Sequence, residues 1–425
     1  MLATFIHKLK LVFTDESLRM RILFLLGALV LFRILATIPI PGIDRFALEA
    51  FLLDNDFLGF MNLFSGGGLA NLSIVMLGVG PYITAAIIMQ LMTIMSPKIK
   101  ALNTEEGEAG KQKFTQYSRL LTLPLAFIQA FGFLVLLSRQ GVIVDMDPFT
   151  FLVNVTVVAT GSILLMWIGE LISEFGIGNG VSVIIFAGIV ATLPTTASQF
   201  VFATFEPAQI PLYIGFFVAA ILVTAAVVTV TEAERPVPVT YAKQVRGGKS
   251  YGGVSTYLPL RVNQAGVIPI IFAISIILFP QMVLEFFAAS TNPTVLMLTG
   301  WLRMFFDNTW LYSAVYFLLV VGFTYFYTAV TFDPQSVSNN LQKSGAFVPG
   351  VRPGPATAEY LGTIVTRITL VGAVFLGLIA VLPLAMTAVT GYQALAIGGT
   401  ALLITVTVVL DLVRKIDAQI SVREY

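Results

Sequence analysis

Covalent chemistry has few carriers in this chain. Cysteine is absent, and the one histidine, His7, precedes the first long apolar run. Thiolate metal sites, an HExxH zinc site and an intramembrane serine–histidine pair are therefore excluded, and there is no Walker loop. The side chains whose spacing does point to a task are aliphatic. Val79, Ile83 and Ile87 recur every four residues on one helix face, the side that Gly80, Thr84 and Ala85 do not occupy. Beside a broken apolar run, such a stripe reads as a dry constriction. Of the ionisable residues in or at the apolar runs, Arg33, Glu170 and Glu285 each lie nearer an end than a centre. Ion-coupled transport instead buries ionisable groups at the membrane midplane.

Those residues sit in a chain that is 57% apolar and 11% charged, with a mean hydropathy of +0.90. No soluble domain of this length has that composition, so the chain is an all-α polytopic membrane protein. Runs near the roughly 20 residues that a bilayer core requires are Ile22 to Ile40, Ile74 to Met95, Leu120 to Leu137, Phe151 to Ile172 and Val181 to Leu193. Five more follow at Leu212 to Val230, Gly266 to Phe287, Trp310 to Val330, Ile368 to Val389 and Leu395 to Val413. Ahead of them, Met1 to Arg21 has the spacing of an amphipathic helix lying on the membrane surface. A cleaved signal peptide is not expected, because the first run has full spanning length and no small-residue cleavage site ends it.

Ten crossings place both termini on one side, together with the loops after spans two, four, six and eight. Of the 24 lysines and arginines, all but Arg33, Arg45, Arg139 and Arg303 then fall on that side. This asymmetry makes both termini cytoplasmic. The loop around 194–211 divides the chain into residues 1–193 and 212–425, each with five spans. An odd number per half inverts the second half relative to the first, with 194–211 as an external hinge.

Two segments depart from plain spans. Phe64 to Met95 opens with Gly66, Gly67 and Gly68, which disfavour a helix, so it reads as a short half-helix followed by a full span. Backbone freed by such a break cannot face lipid and must sit in protein or line a cavity. The cytoplasmic loops 232–263 and 332–367 are the second departure. The first alternates at a period of two around RGGKSYGG, predicting a β-hairpin arm; in the second, four prolines hold Arg352 on a rigid tip. Basic tips suit docking of an anionic surface, although the same arginines also enforce topology.

The stretches FSGGGLANLSIVMLGVGPYITAAIIMQL, EGEAGKQKFTQYSR, WIGELISEFGIGNGVSVIIFAGIVA, PVTYAKQV, STYLPLRVNQAGVIPIIFA and AFVPGVRPGPATAEYLGTIVTRITLVGA resemble, in order and at the expected spacing, signature stretches of the SecY family. Members of that family are the pore subunits of the bacterial protein-export translocon. The resemblance implies ten transmembrane helices in two inverted pseudo-symmetric halves, closed like a clamshell in the bacterial inner membrane. The family's plug maps onto Ser65, Gly66, Gly67, Gly68, Leu69, Ala70, Asn71 and Leu72. Its constriction ring maps onto Val79, Ile83, Val181, Ile185, Ile271 and Ile404, all β-branched aliphatics. One isoleucine on a span is ordinarily core packing; six matching positions on four spans are not.

By the same resemblance a lateral gate lies between spans two and three on one side and seven and eight on the other, where Thr84, Ile87, Gln90, Gln129 and Ser275 are its candidates. Implied partners are the companion subunits SecE and SecG, the motor ATPase SecA, the ribosome including its RNA, signal-bearing precursor proteins and membrane lipid. Arg352 matches the family's central cytoplasmic arginine. The hairpin tip departs from the pattern: adjacent basic residues are replaced by Gly248 and Lys249, with Arg246 nearby. No cofactor and no catalytic residue is implied, and energy must come from a partner. The alternative is a secondary transporter built from inverted five-helix repeats, which broken helices also suit.

Overall fold

In lipid a backbone N–H or C=O finds no water, so apolar runs of spanning length satisfy their own hydrogen bonds as helices. A computed structural model describes residues 14–41, 62, 65–104, 107–139, 141–143, 147–203, 210–241, 244–246, 249–251, 255–287, 297, 299–300, 302, 304–306, 308–390 and 394–421. Most of the surface helix expected at the N-terminus lies outside these residues. Within them, each of the ten apolar runs meets a long helix: α1 Glu16–Leu35, α2 Gly80–Met95, α3 Gly107–Arg139, α4 Pro148–Phe175, α5 Gly180–Ala203, α6 Ile210–Glu232, α7 Ile268–Phe287, α8 Thr309–Thr331, α9 Pro355–Thr390 and α10 Ala394–Ser421. Four stretches, in α3, α4, α8 and α9, are long and apolar enough to cross a membrane on length and composition alone.

Local chemistry explains several of the boundaries. The Asp15 carboxylate accepts from the Leu18 N–H at 3.0 Å and starts α1; Asn308 does the same for α8 through Leu311. Asp147 caps α4, whose first turn carries Pro148, a residue with no N–H to leave unpaired. Other boundaries differ from hydropathy. α3 begins at Gly107, well before its apolar run, and at 33 residues is roughly 50 Å long, which overshoots a bilayer core. α9 likewise starts at Pro355, so much of the expected loop 332–367 is helical, with a further short helix at Pro334–Lys343.

The predicted hairpin arm is present. Strand β1 (Glu234–Tyr241) pairs antiparallel with β4 (Ser255–Arg261), and β2 (Gln244–Arg246) with β3 (Lys249–Tyr251). A short strand β5 (Ala346–Phe347) adds to the other edge of β1, giving the order β4-β1-β5. The two arms therefore share one sheet. Val237, Val239, Leu260, Ala346 and Val348 pack with Leu361, Ile364 and Val365 of α9, so this sheet is seated on the overshooting end of that helix.

The largest buried cluster is built from residues of α1, α2, α4, α5, α6, α7, α8, α9 and α10. A second one joins Leu69, Leu72 and Met76 to α3 and α4. Glycine sets the closest helix approach: a Cβ on Gly180, at the start of α5, would lie 1.8 Å from the Gly169 carbonyl oxygen of α4.

Candidate functional site

Between Ser65 and Val79 the chain forms consecutive turns, not the half-helix expected from sequence. Gly66 and Gly67 take φ of +67° and +79°, which only glycine adopts at low cost. The Ser65 hydroxyl accepts from the Leu69 N–H at 2.9 Å, and the Asn62 side chain from the Ala70 N–H at 2.8 Å. Leu69 and Leu72 are fully buried among residues of α3 and α4. On the opposite side a Cβ on Gly66 would lie 2.5 Å from the Phe32 ring of α1 and 3.0 Å from Gly188 Cα of α5. The eight residues are thus wedged among four helices.

Val79 is the residue just before α2 and not part of it, yet the Ile83 N–H donates to its carbonyl at 3.0 Å, so the four-residue spacing survives. Val79, Ile83 and Ile87 are all buried in the large cluster. Ile185 of α5, Ile271 of α7 and Ile404 of α10 belong to that same cluster, and the partly buried Val181 packs against it. Positions far apart in sequence and contributed by four helices are therefore brought into one apolar core.

On one side of this core lies a cavity of about 240 Å³ that sequence reasoning missed. Asn179 and Ser182 around the start of α5, Arg261, residues 263–268 and the 407–415 stretch of α10 line it, with Val183, Val267 and Val408 shared with the apolar core. Its charges are paired locally: Arg261 with Glu234 at 3.2 Å and Lys415 with Asp411 at 2.9 Å, while Arg414 donates to the Thr231 carbonyl at 2.9 Å. The cavity is thus lined by polar and apolar groups and adjoins the buried aliphatic cluster. No spacing in the sequence marks it, because its residues come from α5, α6, α8, α10 and the approach to α7.

Helix α7 packs against both α2 and α3. Of the gate candidates, Thr84 and Gln129 meet: Gln129 Nε2 donates to the Thr84 hydroxyl at 3.5 Å, while that hydroxyl donates to the Gly80 carbonyl at 3.0 Å. This contact ties α2 to α3 and does not cross to α7. Ser275 on α7 donates to Ile271 within its own helix at 2.8 Å, the usual habit of a helical serine. Gln90 has a buried Oε1 with no hydrogen-bond partner among the described residues. Glu170, expected near a span end, accepts from Arg119 at 2.6 Å and bridges α3 to α4.

Arg352 is exposed on a turn flanked by Gly350 and Gly354, at φ of +85° and +100°. Buried Ser338 donates to the Gly354 carbonyl at 2.7 Å, and Thr357 to that of Arg352 at 2.8 Å, which fixes the tip. In the hairpin, Arg246 and Lys249 are register partners at the ends of β2 and β3.

The SecY family model matches residues 73–413. This chain belongs to the SecY family. Its resemblance to the protein translocase subunit SecY of Mycobacterium bovis is 40% identity over 449 residues, covering 100% of this chain and 99% of that one. Among solved structures, one on the plug domain of SecY and the closed, sealed state of its channel aligns with a TM-score of 0.68 at 19% identity, over 95% of this chain and 93% of that one. Sec61 in a canine ribosome-channel complex aligns with a TM-score of 0.60 at 18% identity and the same coverage. As a SecY chain, this is a multi-pass membrane protein and a subunit of a protein-conducting channel. A transporter of small solutes is not favoured.

Proposed function

We propose that this chain passes unfolded, signal-bearing polypeptides across the bacterial inner membrane and releases apolar segments sideways into lipid. Both termini are cytoplasmic, and residues 1–193 and 212–425 form opposed halves joined through 194–211, of which 194–203 is not the loop expected from sequence but a continuation of α5. The observation that carries this reading is the shared burial of Val79, Ile83, Ile185, Ile271 and Ile404, with Val181 packed against them, beside a partly polar cavity. In this reading the six form the pore ring. A narrow aliphatic throat excludes ions by dewetting, and its unspecific surface accepts any passing side chain, where a charged ring would select.

Ser65 to Leu72 act as the plug behind that ring. The contact of α7 with α2 and α3 supports a seam there, with Thr84, Ile87, Gln90, Gln129 and Ser275 along it; an apolar segment leaving by it gains burial in lipid. SecE and SecG accompany the chain. The motor ATPase SecA or the ribosome docks through Arg246 and Lys249 of the hairpin's β2–β3 pair and Arg352 of the turn before α9, and supplies the energy, since the chain itself catalyses no reaction. The ribosome-bound relative named above supports that docking mode.

The deciding experiment reconstitutes the chain with its companion subunits into vesicles. A signal-bearing precursor is expected to become protease-protected only when SecA and ATP are added. Uptake of a small solute without either overturns the reading.

A further inference from the structure

Arg33 lies in the last turn of α1, an apolar helix in which a full positive charge is costly. A helix C-terminus favours a cation, but the guanidinium does more than face that end. Its Nη1 donates to the Gly66 carbonyl at 2.8 Å, across 33 residues of sequence. The glycine triplet makes this reach possible. Gly66 needs its positive φ to aim its carbonyl, and any side chain there would meet Phe32, the neighbour of Arg33 on α1.

The two ends of the plug are held differently. Its far end is tied to the chain after α1 by backbone bonds, Ile40 N–H to Leu72 O at 2.9 Å and Ile74 N–H to Ile38 O at 3.0 Å. Among the described residues, its near end folds on itself through Asn62 and Ser65, packs Gly66 against Phe32 and Gly188, and takes its hydrogen bond from the wall at Gly66 from one charged side chain. A charge-assisted bond is about twice as strong as a neutral one, and a segment hinged at one end swings when the other end is released.

We propose that Arg33 is the latch that sets how strong a signal a precursor must carry before the plug moves aside. This rests on reading Ser65 to Leu72 as the plug. Losing the latch shifts the closed–open balance toward open, so precursors with weak or absent signals gain most.

The test uses the full chain in its reconstituted complex and compares precursors with and without a signal. Arg33→Gln is expected to raise the ratio of signal-less to signal-bearing export about tenfold, and Arg33→Lys, which keeps the charge but not the fork, by less. A role in anchoring α1 alone moves both precursors together and leaves the ratio fixed; that result overturns the latch. Should Arg33→Gln fail to assemble, the ratio is read on Arg33→Lys. The plug reading is checked separately. Because the chain has no native cysteine, the swinging end is pinned with Gly67→Cys and Thr192→Cys, since a Cβ on Gly67 would lie 3.5 Å from the Thr192 methyl of α5; the pair joined by a short thiol cross-linker is expected to stop export, and its reduced form to restore it. Export by the cross-linked chain overturns the plug assignment and the latch with it.

Discussion

Gly161, in the interior of α4, lies so close to Ile74 that a Cβ on it would sit 2.0 Å from the Ile74 carbonyl oxygen. One residue on, Ser162 donates to the Gly78 carbonyl at 2.6 Å. α4 thus holds the backbone between the proposed plug and α2 through two adjacent residues. In an unconstrained helix, glycine to alanine gains about 1 kcal/mol in propensity. Here the added methyl meets backbone, which cannot rotate away, and overpacking costs about 1–3 kcal/mol. Gly161→Ala is expected to lower the thermal unfolding midpoint of the purified complex, and Gly161→Val to lower it further. An increase with alanine would show that the turn yields.

Replacing apolar side chains at the waist with polar ones should wet it. Ile83→Asn and Ile185→Asn are each expected to raise ion conductance of vesicles holding the resting channel, with a larger rise in the double variant. Ion leak unchanged from that of the parent chain would remove these two positions from the throat.

Arg352→Glu is expected to reduce motor-driven export at least about tenfold while the unfolding midpoint stays within error, since the side chain is exposed and surface substitutions cost little. Ser338→Ala separates position from charge. It removes the buried bond to Gly354, should cost about 1–2 kcal/mol, and is expected to weaken export only in part. Equal loss in both variants would make rigidity of the tip the whole effect.

The Arg119–Glu170 pair at 2.6 Å joins α3 to α4 with the arginine side chain 45% and the glutamate 19% exposed, so water reaches it mainly from the arginine side. Pairs this open to solvent contribute about 0.2–1 kcal/mol and weaken with salt. A double-mutant cycle with Arg119→Ala and Glu170→Ala, read by unfolding at low and high ionic strength, should return a coupling in that range that shrinks as salt is added. Coupling that persists at high salt would mean that the pair is shielded in the complex.

Much of the architecture was legible in the chain alone, because the forces that dictate it are local. Lipid leaves a backbone no partner outside its own helix, so ten apolar runs became long helices; alternation in 234–261 became a hairpin; the triplet Gly66 to Gly68 marked the break ahead of α2. Boundaries at Gly107 and Pro355 were not legible, since helices continue past the hydrocarbon wherever polar residues also favour them. What only the tertiary structure decided is which side chains meet. Ile83, Ile185, Ile271 and Ile404 share one core, Arg33 finds a carbonyl of the glycine triplet, Gln129 chooses Thr84 while Ser275 bonds to its own helix, and β5 joins a strand formed a hundred residues earlier. Hydropathy tells each run to leave water, but it is the same for every face of an aliphatic helix. The choice of neighbour falls to steric fit and to the few polar groups that must be paired, and both depend on residues distant in sequence.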